Sequence, residues 1–197
     1  MQILTAPLIH LGTMSMSAGD LAGFATGLAS VAFAARGSIL NFPFAMINSI
    51  ILGAVFFHAR LYGVMSLQVV FFVLGVQGWI QWMLASSKDD AKPKPIQKRD
   101  FVVGLAMVCG LTLILREVLM RLGGAASWPD AFITSASMWA QWLLNRKSIS
   151  TWAWWIGVDI VSIPLYWSRQ LPLIAFLYVL FLGLCIQGWY RWRVAVR

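Results

Sequence analysis

The hexapeptide Gln77-Gly78-Trp79-Ile80-Gln81-Trp82 returns near the end of the chain as Gln187-Gly188-Trp189-Tyr190-Arg191-Trp192, with four of six positions unchanged. Chance seldom duplicates so tryptophan-rich a segment. The same shift of 110 residues superposes Ser17 on Ser127, Asp20 on Asp130, Arg36 on Arg146, and Ser38-Ile39 on Ser148-Ile149 without a gap. It also brings Leu61, Phe71 and Leu74 onto Leu171, Phe181 and Leu184. Residues 17–82 and 127–192 therefore read as two copies of one unit. The fold has to use one architecture twice.

The units are too apolar for a water-soluble globule. Hydrophobic residues make up 60% of the 197, charged residues 11%, and the mean hydropathy is +0.76, a balance that belongs in a bilayer. The net charge of +8 sits between apolar runs and not on a polar face, which excludes a nucleic-acid reader and fits the charge bias that orients membrane proteins. Cys109 and Cys185 lie singly inside apolar runs and read as small hydrophobic filler. Residues 1–19 lack a basic leader, so the N-terminus is expected to be retained.

Taken in order, a mildly amphipathic lead ends at Asp20, and Leu21 to Ala35 forms a Gly-, Ala- and Ser-rich span suited to close helix approach. A turn at Arg36 to Asn41 precedes span two, which starts around Pro43 and ends near His58. A break at His58, Arg60 and Gly63 precedes span three, from Val64 to Met83. Residues 83–100 form a polar surface loop whose two prolines forbid a continuous helix. The unrepeated span 101–123 acts as a linker before the second unit of three spans. Each span approaches the roughly 20 residues needed to cross a bilayer. The expected fold is an all-α membrane protein of seven transmembrane helices in a 3+1+3 plan.

An odd linker makes the two units parallel and not inverted. Eleven Lys and Arg residues fall on the side of Arg36, the 88–99 loop, Arg146-Lys147 and the C-terminal tail, against four (Arg60, Arg116, Arg121 and Arg169) on the other. The N-terminus is thus expected outside and the C-terminus in the cytoplasm. Arg116-Glu117, near the outer end of the linker span, is expected to pair locally.

Polar residues inside spans mark the candidate site. Trp152, Trp155 and Asp159 share one face of one helix, and Gln141 and Asn145 stand at i and i+4 on the helix before it. Two indoles and a carboxylate suit a flat, cationic heteroaromatic, because the ring quadrupole attracts the cation and the carboxylate offsets its charge. Trp152 and Trp154 also fit an interfacial belt, and Asp159 also fits a structural pairing between helices. Asn48 and Gln68 either join the site or bond across helices. Tyr178 aligns with Gln68 between the units and ranks above Tyr166. No phosphate loop, metal-spaced His/Cys cluster or assembled nucleophile set occurs, so an enzyme is not expected, nor a cofactor or metal.

Asp130 through Arg146-Lys147, then Trp152, Trp155, Asp159, Ile163-Pro164-Leu165-Tyr166, Leu177-Tyr178 and Gly188-Trp189, resemble the second half of the PnuC family of bacterial vitamin transporters. Asn41, Pro43, Leu67-Gln68 and Gly78-Trp79 to Trp82 are similar to its first half. The resemblance implies a fold like that of the SWEET sugar transporters and a homotrimer in the inner membrane. It also implies facilitated diffusion of nicotinamide riboside, with thiamine or riboflavin carried by relatives and uptake held by a cytoplasmic vitamin kinase. By position, it places substrate contacts on Trp152, Trp155, Asp159, Gln141, Asn145, Tyr178, Asn48 and Gln68.

Overall fold

The computed structural model describes residues 7–11, 14–58, 62–85, 92–121, 128–169 and 172–196. Arg60, Leu61, residues 86–91, Leu122, Ser127, Leu171 and Arg197, used in the sequence reading, lie outside them. Among the described residues there are seven α-helices: α1 (Ala18–Ala35), α2 (Asn41–His58), α3 (Tyr62–Met83), α4 (Lys98–Arg121), α5 (Trp128–Asn145), α6 (Ser150–Ser168) and α7 (Pro172–Ala195). The described part of the lead pairs as an antiparallel hairpin of β1 (Pro7–Leu11) and β2 (Met14–Ser17), with Leu11 opposite Met14 and an irregularity between Pro7 and Ile9.

Helix α1 starts where Ser17 and Asp20 cap each other. The Asp20 N–H donates to Ser17 Oγ at 3.2 Å, and the Ser17 N–H donates back to Asp20 Oδ2 at 3.0 Å. It ends on a left-handed Gly37, φ 68°, whose N–H donates to the Ala34 carbonyl at 2.8 Å while Ser38 N–H donates to Phe33 at 3.0 Å. Helix α5 ends in the same way on Lys147, φ 56°. There Lys147 N–H donates to Leu144 at 2.9 Å and Ser148 N–H to Leu143 at 3.0 Å. The next helix then begins identically, with Asn41 N–H on Ser38 matched by Thr151 N–H on Ser148.

The pairing across the units obeys the same shift. Helix α1 packs on α7 and α3 packs on α5, so each unit offers its first helix to the third helix of the other. Phe42 meets Trp82 edge-on at 5.1 Å and Trp152 meets Trp192 edge-on at 5.4 Å. Glycines make both contacts possible. A Cβ on Gly78 would strike the Phe42 ring and the Asn145 amide, and one on Gly188 would lie 2.6 Å from the Trp152 ring. The two seams meet where Trp82 and Trp192 approach at 6.2 Å. Gly37 borders Trp192, and the Lys147 ammonium sits 4.6 Å above Trp82. The basic turns of the two units therefore gather at one end of the bundle.

The loop after α3 is more than a solvated connection. Lys94 pairs with the α5–α6 turn through two backbone bonds: its N–H donates to Lys147 C=O at 2.8 Å and its C=O accepts from Ile149 N–H at 3.0 Å. Ser148 Oγ donates to Asp100 Oδ2 at 2.6 Å. These bonds strap the start of α4 to the second unit, against which α4 packs along α5. At the opposite end Arg169 forks onto both Asp130 oxygens, at 3.0 and 2.5 Å, closing α6 onto α5. Glu117 pairs with Arg121 at 2.8 Å, one helical turn on, and not with Arg116. Arg116 instead lies 4.3 Å over the Trp128 ring, because adjacent side chains on a helix diverge by about 100°.

Five stretches are long and apolar enough to cross a bilayer: Ala18–Ala35, Asn41–His58, Met65–Met83, Lys98–Val118 and Ile174–Ala195. The other two helices, α5 and α6, carry seven of the eleven tryptophans and many of the buried polar residues, among them Ser135, Ser137, Asn145, Asp159 and Ser162. Their lower hydropathy reflects an environment of other helices, where polar groups replace apolar lipid contacts. Large apolar side chains on α3, α4 and α7, such as Val73, Leu105 and Ile186, point outward.

Candidate functional site

The polar residues singled out in the sequence occupy two levels of the bundle. At the end where the basic turns gather, Asn145 is 3% exposed and ties the units together. Its Nδ2 donates to Leu74 C=O on α3 at 2.8 Å, and its own carbonyl accepts from Trp82 Nε1 at 3.0 Å. Gln141 Nε2 completes the chain by donating to Asn145 Oδ1 at 3.1 Å. Trp152, 1% exposed, is enclosed at the same level by Trp192 and Gly188. Thr151 Oγ1 fixes the start of α6 by donating to Ala140 C=O at 2.7 Å.

The second level lies at the middle of α6. Asp159 is nine residues from either end of that helix, about 14 Å along its axis, and is 2% exposed. Its Oδ2 has no hydrogen-bond partner, and the Cys185 thiol of α7 lies against the carboxyl. Tyr178 approaches from α7 as well, stacked on Tyr166 with ring centroids 5.3 Å apart and braced edge-on by Phe181 at 5.8 Å. Its hydroxyl faces Ser162 without completing a hydrogen bond. Half-buried Trp155 joins the two levels, packing both against the Trp152 side of the bundle and against the cluster around Val158.

The structure thus brings Trp155, Asp159 and Tyr178 together, and groups Gln141, Asn145 and Trp152 nearer the basic end. Asn48 and Gln68 belong to helix interfaces of the first unit. Asn48 Nδ2 donates to Gly23 C=O at 2.6 Å and to Thr26 Oγ1 at 3.1 Å across α1 and α2. Gln68 packs beside Gly53, where an added Cβ would lie 3.7 Å from the Gln68 Cβ. Trp154 stacks on Phe101 of α4 at 6.3 Å and fills the notch at Gly104, so it serves helix packing.

Two participants escaped the sequence reading. Ser162 is fully buried with an unpartnered hydroxyl, and its spacing of three from Asp159 on the same helix face was the available signal. Cys185 packs in the hydrophobic cluster with Trp152 and Trp192, as small filler does, and its thiol also borders the only carboxylate at mid-helix depth among the described residues. No spacing rule points across from α7 to α6. Two shallow concavities, of about 420 and 460 Å³, lie instead on outward faces, one at Leu113 and Glu117 and one at Phe72 and Ile80. None of the polar interior residues lines either one.

The model of the nicotinamide mononucleotide transporter family matches residues 17–194. The chain belongs to that family. It is accordingly a multi-pass membrane protein among transporters. It is similar to the nicotinamide riboside transporter PnuC of Escherichia coli (strain K12), 24% identical over 96% of this chain and 92% of the relative. It also resembles the riboflavin/roseoflavin transporter RibM of Streptomyces davaonensis, 25% identical over 90% and 85% of the two chains. A crystal structure of the vitamin B3 transporter PnuC superposes with a TM-score of 0.72 at 27% identity, covering 89% of this chain and 80% of the other. Family membership bears out the resemblance noted in the sequence.

Proposed function

We propose that this protein is a facilitator of nicotinamide riboside in the bacterial inner membrane, and that the vitamin is then held inside by a cytoplasmic kinase that phosphorylates it. The observation that carries the reading is the α6 face on which Trp155 and Asp159, whose Oδ2 has no hydrogen-bond partner, stand together inside the bundle. An indole face attracts a pyridinium ring, and a carboxylate in a low-dielectric interior strongly favours a cationic partner. Passive carriage needs no ion gradient and asks of the site only selectivity. Nicotinamide riboside transporters among the relatives support the same substrate.

The units are read as parallel, with three helices, one linker helix and three helices. Support comes from the matching turns at Gly37 and Lys147 and the reciprocal packing of α1 on α7 and α3 on α5. Alternating access then consists of one unit rocking against the other around the middle of α6. The gathered basic turns favour a cytoplasmic C-terminus and an external N-terminus. The outward apolar face of α4 suits packing between copies in a homotrimer.

Riboflavin is the second reading, favoured by the similarity to RibM. Melting the detergent-purified protein with nicotinamide riboside, riboflavin and thiamine in turn separates these, since a ligand bound only by the folded state raises Tm. Nicotinamide riboside is expected to give the selective shift. The same protein alone in liposomes should show saturable uptake, abolished by Trp155→Ala at equal reconstitution. Unchanged uptake in that variant would make Trp155 a packing residue, and absence of uptake by the wild type would favour a non-transporting scaffold.

A further inference from the structure

Among the described residues, four buried side-chain oxygens have no hydrogen-bond partner: Thr112 Oγ1, Ser150 Oγ, Asp159 Oδ2 and Ser162 Oγ. Only Asp159 and Ser162 stand one turn apart on one helix face. Other hydroxyls of the bundle bond back along their own helix. Thr26 donates to Ala22 C=O at 2.7 Å, Ser135 to Ala131 at 2.8 Å and Ser168 to Leu165 at 2.8 Å. Ser162 has a helix carbonyl one turn back available in the same way, yet its hydroxyl makes no such bond. Leaving a buried polar atom unpaired costs its desolvation in full, so two adjacent ones mark a place where a partner arrives from elsewhere.

Trp155, Asp159 and Ser162 follow one another at i, i+4 and i+7, a single stripe about 10 Å long on α6. The length matches a flat ring joined to a five-carbon polyol. We infer that Ser162 is a specificity-determining residue, which with Asp159 Oδ2 hydrogen-bonds the hydroxyl-bearing part of the substrate while the heteroaromatic ring lies along Trp155. The ribose of a riboside and the ribityl chain of a flavin present the same chemistry here, adjacent hydroxyls that can donate to a carboxylate and exchange a bond with a serine. Tyr178, facing Ser162 from α7, walls that end of the stripe. The inference rests on the vitamin-carrying reading above, and adds to it a recognition of the polyol that is separate from recognition of the ring.

The test uses the full-length protein in detergent and two matched pairs of ligands: nicotinamide riboside against 1-methylnicotinamide, and riboflavin against lumiflavin. Affinities are read from the dependence of Tm on ligand concentration. Ser162→Ala is expected to leave the ligand-free Tm unchanged or slightly higher, because it deletes an orphan. It should bind the polyol member about tenfold more weakly, the loss of one or two net hydrogen bonds, and the ring-only member as the wild type does. Asp159→Asn, which keeps the shape, should weaken both nicotinamide ligands, whose ring charge the carboxylate offsets, but of the two neutral flavins only riboflavin. A lowered ligand-free Tm with unchanged polyol affinity in Ser162→Ala would assign Ser162 to the protein's own packing and overturn the inference, as would equal weakening of both members of a pair by Ser162→Ala. A wild type that responds to none of the four ligands breaks the proposed function itself and this inference with it, an outcome distinct from either failure of the variant.

Discussion

The turn between α1 and α2 and the turn between α5 and α6 share one backbone and three side chains, with Arg36, Ser38 and Ile39 returning as Arg146, Ser148 and Ile149. Both end their first helix on a left-handed residue, Gly37 or Lys147, and both send a large ring inward, Phe42 or Trp152. Where the first unit has Val31, Ala35 and Ser49, the second has Gln141, Asn145 and Asp159. The duplicated part is geometry, held by backbone bonds and by rings seated on glycines. The diverged part is polarity, collected inside the bundle on the second unit.

The largest expected effects test the shared part. Gly188→Ala places a methyl 2.6–2.7 Å from three atoms of the enclosed Trp152 ring, and overpacking of this kind costs about 3 kcal/mol. Its counterpart Gly78→Ala should behave alike. Gly183→Ala, where an added Cβ meets nothing within 4 Å, is expected to melt as the wild type or slightly higher. Melting curves of the three variants in one detergent would break the comparison if Gly188→Ala and Gly183→Ala could not be told apart.

Next in size is Asn145→Ala, which gives the second turn the residue of the first. It removes the bond to Leu74 C=O and should destabilise by about 2 kcal/mol. Thermal denaturation of Gln141→Ala, at the open end of the same chain of bonds, should show less than half that loss. The smallest effect sharpens the backbone half of the argument. Gly37→Ala forces a Cβ into the left-handed region and should cost about 1 kcal/mol. Lys147→Gly relieves the same strain but loses the contact over Trp82, so its melting point is expected within a degree or two of wild type, about 0.5 kcal/mol at most. A large loss there would mean the Lys147 ammonium holds the turn.

What could be read in advance follows the same division. The 110-residue shift, seven apolar runs and the identity of Trp155, Asp159 and Tyr178 as interior groups were legible, because helix periodicity and membrane exclusion act on local sequence. The fate of each polar group was not. Asn145 and Asn48 look alike in a hydropathy plot, yet one links the units and the other bonds α1 to α2. Which acceptor a side-chain amide reaches depends on helices distant in sequence. Trp154 was equally opaque, since its position against Phe101 and Gly104 depends on how α4 packs. The hairpin before α1 and the bonding of Lys94 also came only from the three-dimensional arrangement.

The strap at Lys94 sets an order of events during synthesis. Its two bonds reach Lys147 and Ile149, so they cannot close until more than fifty further residues have been made and α5 has turned back. Until then α4 lies in the bilayer without the neighbour that later fixes it. The joint at Lys94 therefore cannot close before α5 has been made, and α7, which packs on α1, is made later still. Because the seal is made by main-chain groups, most substitutions at position 94 leave it intact, and proline, which removes the donor, is the replacement that would leave the linker helix unmoored.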